Sequence, residues 1–147
     1  MKAALSVLLL AGLLSCSSAT APELAGGTRD PALLPGPAWT LVGFAPASGD
    51  FSAARARFIV NFSADGRVGG EAGPNVYGGS YAASAEGAIQ VRDLVGTLIG
   101  GPEAEEAGKY QEGLLRARSF EVTPTELLLR FEQRGVLHFR RQVLQAQ

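Results

Sequence analysis

Residues 70–81 read GEAGPNVYGGSY: four glycines, a proline, an asparagine and two tyrosines between stretches that alternate like β-strands. Such a run is either a loop that cradles a ligand or the punctuation a sheet needs to turn and bend. Its flanks favour punctuation. Upstream, Arg57–Phe62 places Phe58, Val60 and Phe62 on one face. Ser63-Ala64-Asp65-Gly66 then has the composition of a hairpin turn, and Arg67-Val68-Gly69-Gly70 begins the return strand. Downstream, Tyr77–Ser84 and Ala88–Val95 form a second hairpin about Glu86-Gly87, with Ile89 and Val91 inward. In this reading Gly70 and Gly73 permit bulging and close backbone approach in a curved sheet. Asn75 bonds nearby backbone. Tyr77 and Tyr81 share a face, with Gly79 between them leaving the rings room. The alternative is a surface on which exposed tyrosines grip a ligand.

The remaining folded part reads in the same way. Trp39–Phe44 is a first strand, and 45–56 a loop with a short turn. Residues 102–118, PEAEEAGKYQEGLLRAR, break the β rhythm: Pro102 suits a first helical position, and Glu103, Glu105 and Glu106 suit the positive end of the helix dipole. Ala107, Tyr110, Leu114 and Ala117 fall on one stripe, and the glutamates read as a solvated face. Three strands close the chain: Ser119–Val122, Thr125–Glu132 with Leu127, Leu129 and Phe131 on one face, and Val136–Val143. The fold class is mainly β, α+β only in a minor sense: a small antiparallel curled sheet or partly open β-barrel of seven to eight strands with one helix.

The first residues carry an address. Met1-Lys2 is followed by AALSVLLLAGLLS without a charge, too short to span a bilayer comfortably. The run ends at Cys16, the sole cysteine. Leu13-Leu14-Ser15-Cys16 resembles the lipobox of bacterial lipoproteins, in which cleavage precedes a cysteine that then receives lipid. This divides the chain into a signal peptide (1–15), a lipidated Cys16 with a flexible Ser/Ala/Gly/Pro-rich tether (16–37), and a β-barrel domain (38–147). The expected location is exported and lipid-anchored to a bacterial envelope. Ser17 and Ser18 resemble the sequences of lipoproteins sent to an outer membrane. The alternative is an ordinary secretory peptide cleaved at a later small residue such as Ala19 or Ala21.

Chemistry is sparse. Without Lys2 the chain carries twelve Lys/Arg against fourteen Asp/Glu, a balance that suggests no nucleic-acid partner. No phosphate-binding glycine signature is present, and no GxSxG elbow. His138, the sole histidine, lies between Leu137 and Phe139 on the opposite strand face and lacks a second histidine for metal binding. The sequence therefore predicts no enzyme, no cofactor and no metal site.

The spacing Phe62-x3-Gly66-x-Val68-x-Gly70-x-x-Gly73-Pro74-Asn75-x-Tyr77-x-Gly79-x-Tyr81 resembles the central motif of the META domain, or HslJ-like, family. Trp39, Leu94-Val95-Gly96-Thr97, Pro102 and the closing Gly135-Val136-Leu137-His138-Phe139 match in order, so the resemblance spans about residues 38–141. It implies a barrel-like domain with one helix, in small exported or lipid-anchored proteins, some heat-inducible. No catalytic residue belongs to the motif. The implied role is envelope stress tolerance or assembly support, with an envelope protein as a partner. A carrier holding an acyl chain inside the barrel is the rival. Where the family commonly has two cysteines this chain has Pro74 and Gly101, and their joint loss implies that the turn at Pro74 lies against the approach to the helix.

Overall fold

In a computed structural model, which describes residues 22–46, 49–132 and 134–143, the elements run β1 (Ala38–Ala45), β2 (Ser52–Ala53), β3 (Phe58–Phe62), β4 (Arg67–Ala72), β5 (Asn75–Ala83), β6 (Ile89–Gly96), α1 (Ala104–Arg116), β7 (Ser119–Val122), β8 (Glu126–Phe131) and β9 (Gly135–Arg141). Neighbours in the sheet follow the order β6-β5-β4-β3-β1-β9-β8-β7, all antiparallel, with the two-residue β2 added beside β1. The architecture is the mainly β, curled sheet with one helix that the alternation predicts. The one added strand, β2, lies within the stretch read as a loop.

The sheet curls until its two outer strands meet at one corner. Ala88 bridges Ser119, the Ile89 N–H donates to the Arg118 carbonyl at 3.0 Å, and the Phe120 N–H donates to the Gly87 carbonyl at 2.9 Å. Beyond that corner β6 and β7 separate, and α1, the connection between them, packs against β6, β9, β4 and β8. An antiparallel sheet with one apolar face must cover it, and curling onto one amphipathic helix does so in a short chain. The alternating residues supply the interior: Trp39, Phe58, Val60, Phe62, Leu127, Leu129 and Phe139 are buried in one cluster with Tyr110, Leu114 and Ala117 of α1. The barrel is filled by side chains. At Val42 a bulge shifts the register between β1 and β9, so Leu41 and Phe44 both face the main core while Ala45 turns to the outer side.

Two expectations from the sequence are corrected. The stretch read as a flexible tether is part of the folded body from Pro22 onward. Leu34 is fully buried in the main core, and its carbonyl accepts the indole N–H of Trp39 at 3.1 Å. Thr28 and Val122 exchange two backbone hydrogen bonds of 2.8 Å, which cover the free edge of β7. Leu24 packs on Ala45, Leu128 and Val136, closing a second small cluster outside the sheet. A 3-10 turn at Pro31–Leu33, capped by the Asp30 carboxylate on the Ala32 N–H, brings Leu34 to its place. The domain boundary therefore lies at or before residue 22 rather than at 38. The cause is physical: a segment that wraps a barrel needs only a few apolar anchors and no period, so composition alone hides it. The second correction concerns α1, which starts at Ala104 with Glu103 at its N-cap; Pro102 lies in the preceding turn.

Candidate functional site

The glycine-rich stretch is a tight hairpin. β4 and β5 turn at Gly73-Pro74, and Gly73 takes φ 61°, a left-handed conformation that glycine adopts without strain. Gly70 has a different reason to be glycine. It lies opposite Val60 on one side and Tyr77 on the other, and a Cβ there would stand 1.9 Å from the Ile59 carbonyl oxygen. That close approach opens room for the Tyr77 hydroxyl, which donates to the same carbonyl at 2.8 Å. Gly79 sits at the register shift between β5 and β6, where a Cβ would meet the Arg92 carbonyl at 2.5 Å.

Tyr77 and Tyr81 do lie on one face, but their rings part. Tyr77 is buried and reaches α1, where its hydroxyl meets that of Tyr110 at 2.7 Å. Because the single Tyr77 proton goes to Ile59, Tyr110 donates to Tyr77, and the relay Tyr110→Tyr77→Ile59 carbonyl ties helix to sheet. Burial raises the pKa of Tyr77, outweighing the lowering effect of its bond to Tyr110, and burial raises Tyr110 well above the ordinary range. Tyr81 turns the other way, edge-on to Phe62 with centroids 4.8 Å apart, and donates to the Ser63 carbonyl at 2.9 Å. Burial, and then the Asp65 charge, raises its pKa.

Asn75 and Thr97 form the corner of this region. Asn75 Oδ1 accepts the Ile99 N–H at 2.6 Å and the Thr97 hydroxyl at 3.0 Å, while Nδ2 donates to the Ile99 carbonyl at 3.1 Å. Thr97 Oγ1 accepts the Val76 N–H at 3.1 Å. Asn75 thus brings the turn against residues 97–99 of the approach to α1. A Cβ on Gly73 would meet the Glu103 carboxylate, whereas one on Gly101 has no neighbour within 4 Å. The hollow beside Asn75, Thr97 and Ile99 holds about 190 Å³, below the ~300 Å³ where ligand pockets begin. The motif residues Gly70, Gly73, Asn75, Tyr77, Gly79, Tyr81 and Thr97 hold the sheet's bend and the loop before the helix together. Cys16 lies outside the described residues.

A second region went unread in the sequence. Glu106, assigned to a solvated face, is 6% exposed. It stands four residues before Tyr110 and seven before Gly113, on the buried stripe of α1, and that spacing was the available signal. Its Oε1 accepts the Arg55 N–H at 2.9 Å, joining α1 to the segment between β2 and β3. A cleft of about 700 Å³ opens beside it, lined also by Phe44, Ala53 and Phe131.

Elsewhere chemistry stays thin. His138 lies on the outer face of β9, with Nε2 3.3 Å from Glu126 Oε1 and its ring 6.3 Å from that of Phe51. Among the described residues, no three His, Cys, Asp or Glu side chains gather where they could hold a metal ion, and no helix is long and apolar enough to cross a membrane.

Comparison with known proteins agrees with this geometry. The META domain family model matches residues 32–143. A protein from Burkholderia xenovorans solved by NMR is similar over 85% of this chain and 97% of its own, at 24% identity and a TM-score of 0.66. A DUF4847 family protein from Bacteroides vulgatus, known from a crystal structure, is similar over 74% of this chain and 94% of its own, at 16% identity and a TM-score of 0.58. At these identities the two structures bear on the fold alone. No curated protein matches the chain.

Proposed function

This chain belongs to the META domain family, and from that premise we propose a non-enzymatic lipoprotein, anchored to the bacterial envelope through Cys16, that serves envelope stress tolerance or assembly. The observation that carries the reading is that the chain is already docked on the folded body at Pro22. A charge-free run ends at the sole cysteine, and only residues 17–21 separate it from Pro22, whose carbonyl is held by Arg130 at 2.8 Å. At about 3.4 Å per extended residue, a lipid on Cys16 keeps Pro22 within roughly 20 Å of the bilayer. A body tied that closely suits work at the membrane face. The filled interior supports this reading over a carrier that holds an acyl chain inside the barrel. The glycine-rich motif supports it too, since its polar groups serve the fold and none is set out to act on a substrate.

Replacing Cys16 with serine tests the anchor. The wild type is expected in the membrane fraction, labelled by radioactive fatty acid, and Cys16→Ser in the soluble exported fraction without label. A variant that still pellets with membranes, together with an unlabelled wild type, refutes the anchor.

A further inference from the structure

The cleft at Glu106 has the build of a ligand site. It lies between α1 and the strands β1 and β2, at the edge of the main core against which Phe44 packs and to which Phe131 belongs, and its 700 Å³ falls within the ~300–1,000 Å³ of small-molecule pockets. Phe44, Pro46, Ala53 and Phe131 give it apolar walls. The carboxylate of Glu106 is buried, yet only one of its oxygens is well served. Oε1 has the Arg55 N–H at 2.9 Å, while the nearest cation to Oε2 is Arg55 Nε at 3.7 Å, on a side chain 86% exposed. Among the described residues no buried side-chain oxygen lacks a partner, so Oε2, which has no close donor, is open to the cleft and free to accept one from a ligand.

The neighbouring cations are already engaged. Lys109 pairs with Glu105 at 2.6 Å, and Arg116 pairs with Glu112 at 2.9 Å and with Glu132. Asp50 and Glu112 also line the cleft, so its three carboxylates, Glu106 included, match Arg55, Lys109 and Arg116 in number, and only the outlying partners Glu105 and Glu132 tip its surroundings to the acidic side. We propose that this cleft binds an organic cation with an apolar or aromatic body, its ammonium donating to Glu106 Oε2 and its body lying against Phe44 and Phe131. Arg55 then acts as a weak resident competitor: its exposed guanidinium swings aside when the ligand's ammonium arrives. This site is independent of the lipid anchor and of the envelope role.

The test is an NMR titration of the full chain with 2-phenylethylammonium, alongside 2-phenylethanol and phenylacetate as neutral and anionic counterparts. The ammonium is expected to give saturable shifts at Ala53, Glu106 and Gly113, and to bind at least about tenfold tighter than either counterpart, as a charge-assisted hydrogen bond warrants. Glu106→Gln keeps an acceptor for the Arg55 N–H, so the fold stands while the preference for the cation disappears. Arg55→Ala removes the competitor and tightens ammonium binding. Ala53→Trp fills the cleft and abolishes binding of all three compounds. No saturable shift, phenylacetate binding as tightly as the ammonium, or weaker ammonium binding to Arg55→Ala overturns the proposal. Should Glu106→Gln unfold, the Arg55 and Ala53 variants still decide it.

Discussion

Asn75 and Glu106 are equally buried, each 6% exposed, and stand at opposite extremes of hydrogen bonding. Asn75 makes three side-chain hydrogen bonds of 2.6–3.1 Å to Thr97 and Ile99, which fill both acceptor sites of Oδ1 and use one of its two N–H donors. Glu106 makes one, and its second oxygen faces an exposed guanidinium at 3.7 Å beside an open cleft. A closed polar network inside a fold specifies structure. An open one beside a cavity leaves bonding capacity for something else. The difference places the glycine-rich hairpin with the architecture, although it was the stretch that first suggested a ligand, and places recognition at the helix.

The sharpest way to break that comparison is at Gly70. If the hairpin is architecture, a methyl group there must drive the Ile59 carbonyl away, since 1.9 Å is far inside contact and a strand carbonyl cannot step aside like a side-chain end. Gly70→Ala is expected to cost about 4 kcal/mol or more, in the range reserved for severe core strain. Urea unfolding followed by the fluorescence of Trp39, the sole tryptophan and nearly fully buried, measures it. A cost near zero means the hairpin has slack and the architectural reading fails. Asn75→Ala comes next. It strands the Ile99 N–H and carbonyl and leaves Thr97 without its acceptor, for about 2–3 kcal/mol in the same assay, allowing for water reaching the exposed Ile99. If that variant is as stable as the wild type, the three hydrogen bonds carry no weight and the contrast with Glu106 disappears.

The legibility of these regions follows from how each is built. β3 and β8 place large apolar residues at every second position on the core face, so Phe58, Val60, Leu127 and Leu129 announced themselves, although Ile59 and Leu128 on the opposite face are buried as well. The motif glycines were readable as bends because turns and close approaches admit few other residues. The partner of Tyr77 was not, since Tyr110 is 33 residues away on the helix and only the curl of the sheet brings the two hydroxyls together. Nor was the docking of residues 22–37, which rests on isolated anchors such as Leu24, Thr28 and Leu34 rather than on a period. Glu106 was misread for a plainer reason. Two neighbouring acids, Glu103 and Glu105, are exposed, and a cluster was read as a unit although its third member belongs to the buried stripe.

The smallest expected effect lies in the tyrosine relay, and it sharpens the contrast between neutral closure and an open charge. Tyr110→Phe removes one donor and leaves the bond from Tyr77 to the Ile59 carbonyl intact, at about 1 kcal/mol. Tyr77→Phe costs more, since it leaves both the Ile59 carbonyl and the Tyr110 hydroxyl without their partner; equal costs would mean the relay does not run from Tyr110 to Tyr77. The pair also sets a pH dependence. An unfolded tyrosine loses its proton near pH 10, whereas burial raises both pKa values in the folded protein. Above pH 10 the folded state therefore holds more protons than the unfolded one, and stability falls as pH rises. The contribution is fully present below pH 10 and is lost above it. Urea midpoints for the wild type are expected to be level from pH 8 to 9.5 and to drop between pH 10 and 11, with a shallower drop in Tyr110→Phe. The same fall in both proteins would show that other groups carry the alkaline transition, leaving the relay as a neutral strut between helix and sheet.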